Sequence, residues 1–105
     1  MLDILREAYY SIGMIKGFRG RLTERLWHGE HVKAFSAFED AAINKLFMLE
    51  AATILTDLRV PPGNQLEALS GDRKGQHSIR INRQWRICFV WTNSGPDHVE
   101  IADYH

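Results

Sequence analysis

The residues predict an α+β fold: two helices packed on one face of a small, largely antiparallel sheet, in the chain order β-α-α-β-β-β. Two patterns carry this reading. Apolar residues recur every three or four positions between Ser36 and Leu58, the period of a helix face. Further on, Ile79 and Ile81 alternate with Ser78, Arg80 and Asn82, and Trp85, Ile87, Phe89 and Trp91 alternate with Arg86, Cys88 and Val90, the period of a strand. A block of helices followed by a block of strands puts both helices on one side of the sheet and leaves the other side open.

The elements follow in order. A short strand is expected around residues 14–18, at Met14-Ile15-Lys16-Gly17-Phe18. Residues 21–28 read as a helix with Leu22 and Leu26 one turn apart, ended by Gly29. The second helix opens on Ser36-Ala37-Phe38-Glu39, the spacing of a capping box, in which the serine oxygen accepts a backbone N–H near Glu39 and the glutamate reaches back. From there to about Leu58, a face of Phe38, Ala42, Leu46 and Leu49 is widened by Ile43, Phe47, Ile54 and Leu58, which predicts contact with more than one neighbour. Arg59-Val60-Pro61-Pro62-Gly63-Asn64 stops it, since proline disfavours helix at itself and in the residue before. Asn82-Arg83-Gln84 suits a hairpin loop between two strands, Ser94-Gly95-Pro96-Asp97 marks the next turn, and a last strand runs from His98 to Ala102.

With 105 residues, 45% of them hydrophobic and 25% charged, the chain suits one soluble domain with a modest core rather than disorder. Thirteen basic side chains balance 13 acidic ones, so nothing draws the whole protein to nucleic acid or membrane. The local balance differs. Arg73, Lys74, Arg80, Arg83 and Arg86 place five cations in residues 73–86, with no acid among them. The single cysteine, Cys88, allows no internal disulfide, and no Cys/His spacing matches a zinc site, so a reducing cytoplasm is expected. No segment approaches the roughly 18 apolar residues of a membrane span, and a signal-peptide layout is not seen at the N-terminus.

Guanidinium groups alternating with apolar residues, followed by Asp103-Tyr104-His105, suit a sheet that grips phosphate and moves a proton beside it. Arginine offers permanently charged planar donors to phosphate oxygens, and histidine titrates near neutral pH. Taken alone, each residue also has a plainer reading. Arg86 can be a strand arginine paired with an acid such as Asp103, His105 a frayed terminus, Tyr104 a core residue and His77 a half-buried strand residue. His28, His31 and His98 stand in no informative pattern. A metal site built from His98, Asp103 and His105 would match no usual ligand spacing, and none is expected.

The run LEALSGDRKGQHSIRINRQWRICFVW followed by VEIADYH, with VPPGNQLEAL before it and Met14-Ile15-Lys16-Gly17-Phe18 at its start, resembles the HigB-type toxins of bacterial toxin–antitoxin modules. These form a branch of the RelE/ParE superfamily that includes plasmid maintenance system killer proteins. The likeness covers roughly residues 14–105. It leaves residues 1–13 as an N-terminal extension, either from an upstream start or forming a peripheral helical turn.

The resemblance implies a RelE/ParE-like fold and a ribosome-dependent mRNA endonuclease that uses no cofactor. It also implies a HigA-type helix-turn-helix antitoxin as partner, with operator DNA reached only through that antitoxin. The family has an essential arginine at the WRI position, here Arg86, and uses the histidine of a terminal Asp-Tyr-His, here His105. Tyr104 and Asp103 would assist them, while Arg73, Lys74, His77, Arg80 and Arg83 would hold message and ribosomal RNA. Two positions depart from the pattern. Several members carry a lysine just before Gly-Asp-Arg, and some a histidine three residues earlier; here those places hold Ser70 and Glu67. Ser70 brings no charge, and Glu67 can act as a base beside phosphate only if Arg or Lys screens it. A weakened toxin, acting mainly as antitoxin partner and operon co-repressor, is therefore a competing reading. A gyrase-poisoning toxin of the ParE branch is another, which the terminal Asp-Tyr-His disfavours.

Overall fold

Among the described residues, two α-helices, α1 (Arg21–Trp27) and α2 (Glu39–Ala51), precede four strands: β1 (Glu67–Ala68), β2 (His77–Arg80), β3 (Arg86–Thr92) and β4 (Gly95–Ala102). The strands lie side by side in chain order, each antiparallel to the next. This computed structural model describes residues 14–104; the expectations for residues 1–13 and for His105 fall outside the described residues.

The core forms where the helical and strand periods meet. Ala42, Leu46 and Leu49 of α2 are fully buried, as are Ile79 of β2, Ile87 and Phe89 of β3 and Val99 of β4. Burying a large apolar side chain contributes about 1.5–3 kcal/mol, so this layer holds the helices to the sheet. Cross-strand partners share a face, and Ile79 pairs with Ile87, which pairs with Ile101. Their neighbours in sequence must then face away from the helices: Ser78 opposite Cys88, Arg80 opposite Arg86, and Cys88 opposite Glu100. Alternation thus delivers Arg86 to the open side.

The predicted first strand is reduced to a single parallel bridge, Phe18 to Val99, flanked by backbone bonds from Lys16 to Pro96 (2.7 Å) and from Val99 to Gly17 (3.0 Å). The reason lies in β4. Between the pairs Cys88–Glu100 and Val90–Asp97, β4 carries one more residue than β3, and His98 there adopts φ 52°. A bulge of this kind bends the strand and interrupts the ladder its edge can offer. Gly17 lies so close that a β-carbon would meet Asp97 Oδ1 at 2.7 Å.

The second helix also departs from expectation. It begins at Glu39, after a 3-10 segment Lys33–Phe38, and no side chain caps it. Ser36 donates its hydroxyl to the Lys33 carbonyl (2.9 Å), and Glu39 lies 3.6 Å from His31 instead of reaching back. Nor does the helix reach Leu58. Asp57 Oδ2 accepts the backbone N–H groups of Thr53 (3.0 Å) and Ile54 (3.3 Å) and the Thr53 hydroxyl (3.2 Å). These bonds compete with helix continuation and end α2 well before the prolines. They also hold the Asp57 carboxyl below its usual range, the Thr53 backbone bond first among the causes. Phe47, at 58%, and Ile54, at 57%, are exposed rather than core, though the Phe47 ring meets Trp27 edge-on at 5.2 Å.

On α1 Leu26 is buried in the core as its spacing predicts, and a polar residue docks the helix beside it. Leu22 is exposed, whereas Thr23 is buried and its Oγ1 accepts the Ile101 N–H at 2.9 Å, tying α1 to β4. Thr23→Val keeps the shape but removes that acceptor. It is expected to destabilise the fold by about 1–3 kcal/mol, the cost of an unsatisfied buried donor. Chemical denaturation measures this, and a loss below about 0.5 kcal/mol would show that the Ile101 amide finds another partner.

Candidate active site

Arg86 stands at the start of β3 on the face turned away from the helices, its side chain only 14% exposed. Its Nε donates to Ser78 Oγ at 2.7 Å, and Nη2 donates to the Gln65 carbonyl at 2.5 Å, with the Ser78 carbonyl farther off at 3.5 Å. Glu67 Oε1 lies 3.7 Å from Nε. Arginine carries five N–H donors, and among the described residues no acceptor bonds Nη1. Two donors of a fixed, charged fork are therefore free for a ligand.

Three local features bring the acceptors there. Asn64, fully buried, donates through Nδ2 to the carbonyls of Leu58 (3.1 Å) and Val60 (3.3 Å), while its Oδ1 accepts from Lys45 Nζ. The next residue, Gln65, takes a left-handed conformation (φ 46°), and its carbonyl meets Arg86. β1, a strand of two residues that the sequence did not suggest, pairs Glu67 with Ser78. Ser78 itself is fully buried on β2.

Tyr104 completes the group. Its Oη lies 2.9 Å from Ser78 Oγ and 3.2 Å from Glu67 Oε1. Burial raises the phenol above its ordinary value, against the lowering effects of the Ser78 hydrogen bond and the Arg86 charge, so Tyr104 is neutral near pH 7. The Arg73 guanidinium carbon sits 5.5 Å from the centre of the Tyr104 ring, while Arg73 Nη1 donates to Glu100 (3.2 Å) and Gln76 (3.1 Å). A cleft of about 530 Å³ opens here between Glu67, Ser70, Asp72, Arg73 and Tyr104. That volume suits a small ligand or part of a larger one.

The remaining candidates disperse. Arg80 shares the face of Arg86, but its Nε is held by the Asn82 carbonyl at 2.9 Å. Lys74 and Arg83 are exposed, each in a connecting segment. His77 pairs with Phe89 and stacks on its ring at 6.3 Å, on the side of Ile79 and the helices, with Nδ1 buried and without a hydrogen bond among the described residues. Asp103 accepts from Gln84 Nε2 at 2.8 Å. Cys88 is buried beneath the site, and burial pushes its thiol up, so it stays protonated. No group of three or more His, Cys, Asp or Glu residues arranged to hold a metal occurs among the described residues. Ser78 and the Gln65 carbonyl were missed by sequence reasoning, because one looks like an ordinary polar strand position and the other is a backbone atom.

The fold is similar to that of the YoeB–YefM complex from Staphylococcus aureus, with a TM-score of 0.52 over 87% of this chain and 97% of that one, at 16% identity. A family model for the RelE-like toxin of the type II toxin–antitoxin system HigB matches residues 16–105. The chain belongs to this HigB-like toxin family. Among curated relatives, Toxin HigB-1 of Vibrio cholerae is 48% identical over 58 residues, 55% of this chain and 61% of that protein. An uncharacterized protein of Haemophilus influenzae is 36% identical over 64 residues, 61% of this chain and 63% of that protein. Endoribonuclease HigB of Proteus vulgaris is 30% identical over 93 residues, 88% of this chain and 100% of that protein. The matched region thus spans about three-fifths of the first two relatives and all of the third.

Proposed function

We propose that this toxin is a cytoplasmic endoribonuclease that cuts mRNA on translating ribosomes, is neutralised by a HigA-type helix-turn-helix antitoxin, and meets operator DNA only through that antitoxin. The observation that carries this reading is Arg86: a guanidinium fixed by Ser78 and Gln65, with no acceptor on Nη1 among the described residues, next to Glu67, which lines the cleft with Tyr104. Such a group suits a phosphodiester. The message's 2′-oxygen attacks the adjacent phosphorus, the bond to the 5′-oxygen breaks, and a 2′,3′-cyclic phosphate and a free 5′-hydroxyl result. One group must take the 2′-OH proton, another must give a proton to the departing oxygen, and donors must meet the charge growing on the phosphate.

In this scheme Arg86 meets the phosphate charge, a contribution of about 3 kcal/mol for a preorganised donor. His105 carries a proton, and Tyr104 positions the scissile group with Asp103 in support. The route needs neither metal nor cofactor. Lys74 and Arg83, exposed in loops, would reach ribosomal RNA or message, with Arg73 and Arg80 nearer the sheet; His77, turned to the helix side, drops out of this set. That a relative of matching length is named an endoribonuclease supports the reading.

Glu67 and Ser70 favour a second reading, a weakened toxin that serves mainly as antitoxin partner and co-repressor. Glu67 sets a carboxylate 3.7 Å from Arg86, and Ser70 lines the cleft without a charge. Both act against an anionic substrate.

Two outcomes test these readings. Arg86→Ala is expected to abolish growth arrest and cleavage within coding sequences upon induction without antitoxin, and Arg86→Lys to retain little activity because the planar fork is lost. Circular dichroism should show both variants folded; full toxicity of folded Arg86→Ala would end the assigned mechanism. Ser70→Lys should raise cleavage about fivefold, since a charge at a partly solvated site is worth on the order of 1 kcal/mol. That gain should shrink as salt rises, because screening sets in over roughly 10 Å at 0.1 M. Unchanged cleavage would remove the support Ser70 lends to the weakened reading.

A further inference from the structure

We propose that Ser78 is a positioning residue for this nuclease: its hydroxyl gives the hydrogen bonds from Arg86 to Glu67 a single direction and aims the Tyr104 proton at Glu67. The inference rests on the nuclease reading and follows from counting protons. Arginine only donates, so Ser78 Oγ accepts at 2.7 Å from Arg86 Nε. An ionised carboxylate only accepts, so the single phenolic proton of Tyr104 goes to Glu67 Oε1 at 3.2 Å. Tyr104 Oη then has only lone pairs to offer Ser78, and the Ser78 proton points to Tyr104 across 2.9 Å. Every proton in the row Arg86, Ser78, Tyr104, Glu67 points the same way.

Two consequences follow. Ser78 is fully buried and cannot touch substrate, yet it sets the rotation of Arg86 about Nε and hence where the free Nη1 points. It also donates to the phenol oxygen, which polarises the phenol and strengthens the hydrogen bond that Tyr104 gives to Glu67. Glu67 then works with Tyr104 as an acceptor that opens onto the cleft, with Arg86 supplying the screening that a carboxylate near phosphate requires. Serine suits this position because one hydroxyl can accept from Arg86 and donate to Tyr104 at once. Alanine can do neither.

The test uses the full chain with 13Cζ-labelled tyrosine, in wild type, Ser78→Ala and Ser78→Thr, with the Tyr104 signal assigned by Tyr104→Phe. Its first readout, the phenol titration by NMR, needs no RNA. Ser78→Ala should move the Tyr104 midpoint upward by about 0.5–1 pH unit, the loss of one donor hydrogen bond, and Ser78→Thr should restore it. The second readout is mRNA cleavage on translating ribosomes. Ser78→Ala should lower kcat on the order of tenfold with KM within about twofold, and the double variant Ser78→Ala/Tyr104→Phe should lose less than the product of the two single effects.

An unmoved Tyr104 midpoint in folded Ser78→Ala overturns the proposal, as do cleavage at the wild-type rate or multiplicative effects in the double variant. If Ser78→Thr fails to fold, the double variant still decides between coupling and independence. A wild-type chain that cuts no message while the midpoint moves as expected overturns the nuclease reading and the kinetic role with it, and supports the hydrogen-bond direction.

Discussion

A guanidinium that is mostly covered by protein must find acceptors, and at Arg86 they come from two stretches of chain: Ser78 on β2, and residues 65–67, which give the Gln65 carbonyl and the Glu67 carboxylate of β1. Removing a charge from water without such partners costs several kcal/mol, so the group forms together or not at all. Much of the architecture serves this arrangement. The buried Asn64 shapes the turn that aims Gln65, and β1 exists for two residues, long enough to lay Glu67 beside Ser78. The hydrophobic layer below holds β2 and β3 in the register that makes these distances possible.

Electrostatics at the site are balanced rather than strongly positive. Arg73 is engaged by Glu100 and Gln76, Arg80 by a backbone carbonyl, and Arg86 faces Glu67. The basic run therefore does not form a uniform patch. It supplies one oriented guanidinium beside Glu67, a second that lines the cleft near the Tyr104 ring, and two exposed cations in connecting segments. Such an arrangement favours geometry over bulk attraction, as suits recognition of a phosphate whose position another body, such as the ribosome, has already fixed.

Much of the fold could be read from residue periods. Ile79, Ile87 and Phe89 alternate because one sheet face is buried, and Ala42, Leu46 and Leu49 recur because one helix face is. The same alternation assigned Arg86 to the open face. Local rules failed where another group, near or far along the chain, competed for the same backbone or surface. Asp57 captured the amides that would have extended α2, and the bulge at His98 left the first strand a single bridge. On α1, Thr23 joins Leu26 on the buried side where Leu22 was expected, because its oxygen accepts an amide of β4.

The residue types at the site, Arg86 and Tyr104 with Glu67 and Ser70 beside them, stand in the chain for anyone to read. Their hydrogen bonds do not. Those bonds join residues 8 to 37 positions apart, through a backbone carbonyl, a buried serine and a strand of two residues. A pattern along the chain reports which way a side chain turns, because each strand or helix has a fixed period. Which atoms then meet depends on distances and angles set only when β1, β2, β3 and the C-terminal Tyr104 close around one another in space.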